Sequence, residues 1–146
     1  MSGEGTRSLR IERTFAAPIE AVFDAWTSPE VMRRWLHPGA DWSTPQAEVD
    51  LRIGGAVRIV MRRPDGTDAG ARGRYTAIER PHRIEMTWTF EDDPLHEQLI
   101  ELSFAESGGL TAVVMVNTGI PTDARRDSQD RGWHGCLDQL MRELGG

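Results

Sequence analysis

The sequence contains no lysine, and all 17 of its basic residues are arginine. This absence excludes the sites that depend on a lysine ammonium or amine: the Walker A phosphate loop, Schiff-base chemistry and the attachment of pyridoxal phosphate. Cysteine is nearly absent too, and the single Cys136 excludes an internal disulfide. No apolar run approaches the roughly 18 residues of a membrane-spanning helix. Because residues 1–10 also do not resemble a secretion signal, we expect a cytoplasmic location.

The sequence also has fewer basic than acidic residues. The 17 basic residues face 23 acidic ones, for a formal net charge of −6. Such a chain repels phosphate backbones, so we expect no nucleic-acid partner. A length of 146 residues suits one domain over residues 1–146, and the polar, glycine-containing start predicts order from about residue 8.

Two aromatic-bearing helical segments bracket the chain. Before the first, Leu9, Ile11, Arg13 and Phe15 share one strand parity, and Arg13 is the polar exception among them. Apolar residues at helical spacing follow in residues 18–36. Proline, serine and proline at 18, 28 and 29 start two short helices there, with a bend at Thr27. A last helix, capped by Thr122 or Asp123, has an apolar stripe formed by Trp133, Leu137, Leu140, Met141 and Leu144.

Strand patterns occupy the region between these helices. Alternating apolar residues, separated by turn residues, predict strands at about 47–51, 57–62, 71–79, 84–88, 99–104 and 110–116. Both faces of the last of these strands are apolar, so its orientation is left open. The element order predicts an α+β fold in which a curved sheet wraps around the C-terminal helix and leaves a cavity.

Four stretches resemble one known family, and they occur in that family's order over most of the chain. They are RTFAAPIEAVFDAWTSPEVMRRWL, EVDLRIGGAVRIVMRRPDG, GRYTAIERPHRIEMTWTF and GWHGCLDQL. The sequence resembles the bacterial single-domain relatives of the heat-shock-protein-90 ATPase activator, within the SRPBCC group that includes START domains and birch-pollen allergens. The resemblance implies a helix-grip fold: an antiparallel curved sheet of six or seven strands around a long C-terminal helix, with two short helices after the first strand.

One motif of this family has no settled catalytic role. Asp50, Arg52, Gly54 and Gly55 match its DLR-GG signature. Glycines at such a position are explained by a bulge or a sharp turn between strands. Asp50 and Arg52 share a parity, and an exposed ion pair is the simplest expectation for them.

The residue types of a metal or nucleophilic site are present but wrongly spaced. His96 and Glu97 begin an HExxH pattern, yet Ile100 stands where the second histidine belongs. There is no G-x-S-x-G elbow, and Cys136 fits a small buried hydrophobe better than a nucleophile. The sequence therefore predicts no catalytic residue, no metal and no cofactor.

What remains is a cavity lined by apolar and aromatic side chains. Core packing is the alternative explanation for each of these residues singly. Tyr75, Arg58 and His134 are the polar residues that we would first test for orienting a ligand, and Trp26, Trp35 and Trp133 are expected to be neighbours. The predicted wall residues are Phe23, Trp35, Val57, Ile59, Tyr75, Met86, Trp88, Leu102, Phe104, Trp133 and Leu137.

Three functions fit a fold of this kind. The leading hypothesis is a non-catalytic protein that binds an apolar or aromatic small molecule, either a lipid or a metabolite. The first alternative is a cyclase- or aromatase-like enzyme, which would need an acid or base inside the cavity. The second is a protein-interaction module. We expect no chaperone partner, because the chain lacks the additional N-terminal domain of the eukaryotic activators, whereas an open sheet edge would allow a homodimer.

Overall fold

A computed structural model describes residues 5–145 of the chain. Seven strands and three helices make up this part. In chain order they are β1 (Arg7–Phe15), α1 (Ile19–Thr27), α2 (Pro29–Trp35), β2 (Ser43–Val49), β3 (Ala56–Arg62), β4 (Asp68–Glu79), β5 (Arg83–Phe90), β6 (Gln98–Ser107), β7 (Leu110–Ile120) and α3 (Asp123–Glu143).

All strands belong to one curved sheet with the order β1-β7-β6-β5-β4-β3-β2. Every neighbouring pair is antiparallel. Strands β2 to β6 each pair with the next strand in the sequence, whereas β1 pairs with β7, which is distant from it in the sequence. The concave face of the sheet packs against α3. This arrangement confirms the predicted helix-grip α+β fold, with seven strands and two short helices after the first one. Among residues 5–145 no helix is long and apolar enough to cross a membrane.

The two short helices form where proline and serine predict them. Ser28 has extended backbone angles, and its hydroxyl accepts a hydrogen bond from the Val31 backbone N–H at 3.5 Å. Pro29 occupies the first turn of α2, where a missing N–H has no cost. The break between the helices therefore lies at Ser28, one residue after the predicted bend. Both helices bury one face, including Phe23 and Trp35, which are fully buried.

The C-terminal helix begins at its predicted cap. The Thr122 hydroxyl accepts from the Arg125 backbone N–H at 3.1 Å. Trp133, Leu137 and Leu140 are buried, as the apolar stripe of the sequence requires. The second half of α3 is thus the half that packs as core.

The DLR-GG motif makes the connection between β2 and β3. Gly54 has a φ of +80°, which residues with a Cβ rarely adopt, and its N–H donates to the Tyr75 carbonyl at 2.8 Å. Gly55 packs so tightly that a Cβ would collide with the backbone of Asp50. Arg52 and Asp50 form an exposed ion pair with an Nε–Oδ2 distance of 2.8 Å. The geometry supports a structural explanation for both glycines.

Long-range pairing extends two strands beyond their sequence patterns. β2 begins at Ser43 rather than Ala47 because Ser43 is in register with Arg62 of β3. β7 continues to Ile120 because its end pairs with the start of β1, where Arg7 is opposite Ile120. Alternation of apolar residues cannot show either extension, since the hydrogen bonds come from distant strands.

The polar exception in β1 is explained by α3. Arg13 shares the concave parity of Ile11 and Phe15, yet it lies near the edge of the sheet. Its Nη1 is 2.9 Å from the Asp138 Oδ1, and its Nη2 is 3.2 Å from the His134 Nδ1. An inward arginine is therefore satisfied by polar groups on the helix that covers it.

Candidate functional site

The predicted wall residues are all buried, but they separate into two groups. Trp88 and Trp133 line an open cavity. The other nine are packed into the hydrophobic core on or under the concave face, with exposures of 0–5%. They are Phe23, Trp35, Val57, Ile59, Tyr75, Met86, Leu102, Phe104 and Leu137. These nine side chains fill the centre of the concave face, and an open cavity lies toward one end of the sheet.

A cavity of about 560 Å³ occupies that end. It lies between β2–β5 and the first half of α3, and the loop after α2 closes one side. Its mouth is formed by half-buried and exposed charged residues, namely Arg58, Arg63, Asp68, Glu91, Asp92 and Arg125. Its buried floor consists of Leu36, Val60, Trp88, Gln129, Trp133 and Cys136.

Aromatic rings connect this floor to the core. The ring centroids of Trp88 and Trp133 are 5.9 Å apart, and those of Trp133 and Trp26 are 6.2 Å apart. Trp26 then meets Trp35 edge to face at 4.7 Å. The expected proximity of Trp26, Trp35 and Trp133 is therefore present. Only Trp133 of these three lines the cavity, because α1 and α2 bury the other two rings.

One face of α3 supplies the helical wall. Gln129, Gly132, Trp133 and Cys136 follow the spacing i, i+3, i+4, i+7 and all line the cavity. The sequence predicts only Trp133, because the prediction relies on large apolar residues and the side chains of Gln129, Gly132 and Cys136 are polar or small. The apolar stripe of α3 begins only at Trp133, and this late start is the feature of the sequence that could have indicated the cavity. A helix face that borders open space needs no large apolar residues.

A buried hydrogen-bonded group holds the loop after α2 in place. The Thr44 hydroxyl donates to the Leu36 carbonyl at 2.7 Å, and it lies 2.9 Å from the His37 Nδ1. Because the single hydroxyl proton is used on Leu36, His37 must donate through Nδ1–H. Burial lowers the pKa of His37, which favours the neutral ring. His37 itself does not line the cavity, although Leu36 does.

Three buried amides stand beside the floor. Gln98 and Gln129 exchange hydrogen bonds, with Nε2–Oε1 distances of 3.0 and 2.8 Å. Gln129 also donates to the Asn117 Oδ1 at 2.7 Å, and Asn117 donates to the Gln98 Oε1 at 3.1 Å. All three side chains are at most 6% exposed. The cluster brings uncharged polar groups to an otherwise apolar interior.

The carboxylates of the mouth are paired with arginines. Glu91 is bound by Arg58 through two contacts of 2.9 and 3.0 Å, and the Arg58 guanidinium lowers the pKa of Glu91. Asp68 is bound by Arg62 at 2.8 and 3.2 Å, which lowers the pKa of Asp68 in the same way. Both carboxylates are therefore ionised at neutral pH and are poor proton donors.

Arg125 closes one side of the mouth. Its guanidinium carbon is 5.2 Å from the ring centroid of Phe90, and its Nη2 is 3.4 Å from the Asp92 Oδ1. Phe90, Asp92 and Arg125 all line the cavity. Cation–π and ionic contacts thus join the start of α3 to the end of β5.

Other residues considered from the sequence do not enter the cavity. Tyr75 and His134 are absent from its lining, and burial strongly raises the pKa of Tyr75. His96 lies in an exposed loop and contacts Asp93 at 2.7 Å. Within residues 5–145 no cluster of side chains could hold a metal ion. Cys136 does line the cavity, but burial raises the pKa of its thiol and suppresses the reactive thiolate.

A known family matches most of the chain. The family described as "Activator of Hsp90 ATPase homolog 1-like protein" matches residues 16–145. No curated protein matches the sequence.

Solved structures share the fold, two bacterial ones over nearly the whole chain. The protein CV1439 from Chromobacterium violaceum superposes with a TM-score of 0.85 and 25% identity, covering 96% of this chain and 99% of that one. The AHSA1 protein (SPO3351) from Silicibacter pomeroyi gives 0.83 and 25%, over 94% and 97%. PFC0360w from Plasmodium falciparum, described as an HSP90 activator, gives 0.60 and 26%, over 78% and 74%.

Proposed function

Because the chain belongs to the family of Activator of Hsp90 ATPase homolog 1-like proteins, we propose that it binds an apolar or aromatic small molecule, a lipid or a metabolite, in the cavity under α3. The observation that carries this proposal is the aromatic floor of a cavity of about 560 Å³. That volume lies within the range of roughly 300–1,000 Å³ found for small-molecule sites.

The construction of the walls supports binding of an apolar body. Trp88 and Trp133 present large ring surfaces, and both are at least nine-tenths buried. They are held by secondary structure and by neighbouring rings, so their positions are set before a ligand arrives. Preformed walls reduce the entropy lost on binding.

Binding is favoured over catalysis by the chemistry of the floor. A cyclase- or aromatase-like reaction needs an acid or a base near the reacting atoms. Cys136 is the one titratable side chain among the buried lining residues of the described chain, and its raised pKa keeps it protonated. Glu91 and Asp68 lie at the mouth and are committed to arginines.

A protein-interaction role has less support. The structure of PFC0360w is described as an HSP90 activator, but it shares the fold over only part of its length. The large exposed apolar residues of the described chain are Ile53, Leu95 and Leu110. Ile53 and Leu95 lie in two different connections between strands, and Leu110 is the first residue of β7, so the three are scattered along the chain.

Gly132 allows a direct test of the cavity. A Cβ added at Gly132 would meet no atom within 4 Å, so the position faces open space in the cavity wall. Gly132→Trp should fill the cavity, whereas Gly132→Ala should leave it nearly unchanged. The probe is N-phenyl-1-naphthylamine, an uncharged aromatic dye whose fluorescence rises in apolar surroundings.

We expect the parent protein and Gly132→Ala to bind the dye saturably. Gly132→Trp should bind it at least about tenfold more weakly while retaining cooperative unfolding. Native mass spectrometry of the purified full chain should show any co-purified ligand in the parent and not in Gly132→Trp. Equal dye binding by a folded Gly132→Trp would overturn the proposal.

A further inference from the structure

Arg63 is an arginine of the cavity mouth that forms no ion pair with a carboxylate of residues 5–145. Its side chain is half-buried. The Nη1 donates to the Thr67 Oγ1 at 3.2 Å and to the Asp68 carbonyl at 3.3 Å. Within the same residues its Nε–H and Nη2–H groups have no acceptor. One edge of a charged guanidinium is therefore left for a ligand.

The sheet and Trp42 place this guanidinium at the cavity wall. Ile59, Met61 and Arg63 alternate along β3 and just beyond it, so they share the concave side. Met61 lines the cavity, and Ile59 belongs to the core beneath that side. The guanidinium carbon of Arg63 is 5.8 Å from the ring centroid of Trp42, which also lines the cavity. A cation–π contact thus holds the guanidinium beside the opening.

Two other arginines of the mouth are already occupied. Arg58 donates to both carboxylate oxygens of Glu91, at 2.9 and 3.0 Å. Arg125 contacts the Asp92 carboxylate at 3.4 Å. An anion that approached either arginine would have to displace a carboxylate of the protein. Arg63 requires no such displacement.

The acidic residues nearest to Arg63 in the sequence are engaged elsewhere. The Asp68 carboxylate is bound by Arg62 at 2.8 and 3.2 Å. The Asp65 carboxylate accepts from the Thr67 backbone N–H at 2.9 Å and from the Thr67 hydroxyl at 2.6 Å. Neither carboxylate neutralises Arg63 by direct contact.

The location of this charge narrows the chemistry of the ligand. A carboxylate on the buried floor would lose its hydration, and the buried lining residues of the described chain supply no permanent positive charge there. At the half-exposed mouth the same group keeps part of its hydration and meets Arg63. The Nε and Nη2 edge of a guanidinium matches the two oxygens of a planar carboxylate. A doubly charged phosphate is disfavoured by the net charge of −6.

We propose that the ligand of this cavity is an amphipathic monocarboxylate. Its apolar or aromatic body lies against Trp88 and Trp133, and its carboxylate accepts hydrogen bonds from the Arg63 guanidinium at the mouth. The inference rests on the proposed function and specifies the ligand class of the same site.

Three probes with the same naphthalene body make the test. They are 4-(2-naphthyl)butanoate, its uncharged primary amide, and 4-(2-naphthyl)butyl phosphate, and their flexible chain lets the head group reach the mouth. Dissociation constants are measured by equilibrium dialysis at neutral pH. The parent protein should bind the carboxylate about tenfold more tightly than the amide and more tightly than the phosphate. The preference over the amide should shrink at high salt, because Arg63 is partly exposed.

Two variants of equal charge locate the anion site. Arg63→Gln removes the guanidinium at the mouth, so the preference for the carboxylate over the amide should fall toward one while the amide binds as in the parent. Arg33→Gln is the matched control. Arg33 of α2 is exposed and does not line the cavity, so this variant changes the net charge equally and should retain the preference.

The outcomes separate the two proposals. Absence of saturable binding by all three probes, or unchanged binding in a folded Gly132→Trp, overturns the proposed function and this inference with it. If Gly132→Trp blocks binding but the parent does not distinguish the carboxylate from the amide, the inference alone fails. Tighter binding of the phosphate, or a carboxylate preference that Arg63→Gln retains or Arg33→Gln removes, also contradicts the inference and leaves the proposed function intact.

Discussion

Gly135 of α3 lies directly against the backbone of Pro38, with no space between them for a Cβ. Pro38 belongs to the loop that closes one side of the cavity. The close approach therefore fixes where this loop sits relative to the helix.

Alanine substitutions at the two glycines of α3 should have opposite effects on the stability of the protein. Gly135→Ala forces the helix and the loop apart, and we expect a loss of about 1–3 kcal/mol in the free energy of unfolding. Gly132→Ala adds a methyl group in open space and improves helix propensity, so a gain of up to about 1 kcal/mol is expected. Urea denaturation of both variants provides the measurement. Equal effects at the two positions would contradict the packing argument.

Thr44 should stabilise the protein through the hydrogen bonds of its hydroxyl rather than through the volume of its side chain. Thr44→Val keeps the shape but leaves the Leu36 carbonyl and the His37 N–H without a partner. We expect it to destabilise the protein by about 1–3 kcal/mol. Thr44→Ser keeps the hydroxyl and loses one methyl group, which should cost about 1 kcal/mol. Thermal unfolding of the pair tests this, and a valine variant as stable as the serine variant would refute it.

His37 should make stability depend on pH. Its pKa is lowered in the folded protein by burial, from an ordinary value of about 6.5. The unfolded chain therefore takes up a proton at a higher pH than the folded one, and stability falls as pH decreases below about 6.5. His37→Asn keeps an N–H donor for Thr44 without titrating. We expect the difference in unfolding free energy between parent and variant to change in this pH range and to be constant above it.

The ion pair between Arg13 and Asp138 should contribute only modestly to the free energy of unfolding. The Nη1–Oδ1 distance is 2.9 Å, and the side chains are 20% and 56% exposed. Partial exposure screens the charges, so a double-mutant cycle with Arg13→Met and Asp138→Asn should give a coupling of about 0.2–1 kcal/mol. The coupling should shrink at high salt. A coupling that is insensitive to salt would show that the contact is not mainly ionic.

The fold was largely predictable because its signals are local. Pro18, Ser28 and Thr122 mark the helix starts, and alternating apolar residues mark the strands. The cavity was much less predictable. Inner-face parity correctly predicts burial for Ile59 or Leu102, but parity does not distinguish a side chain that fills the interior from one that borders a void. That difference depends on the summed volumes of side chains from separate strands and helices.

The sequence by itself determined the elements, the α+β architecture and the chemistry that is excluded, starting with every mechanism that requires lysine. These conclusions follow from residue types and from periods of two and 3.6, which are properties of neighbouring positions. Only the tertiary structure decided that Arg13 points inward to Asp138 and that the open space lies at Trp88 and Trp133. It also decided that the amides of Gln98, Asn117 and Gln129 form one buried hydrogen-bonded cluster. Such relationships join residues from different elements, and the register and curvature of the whole sheet determine them.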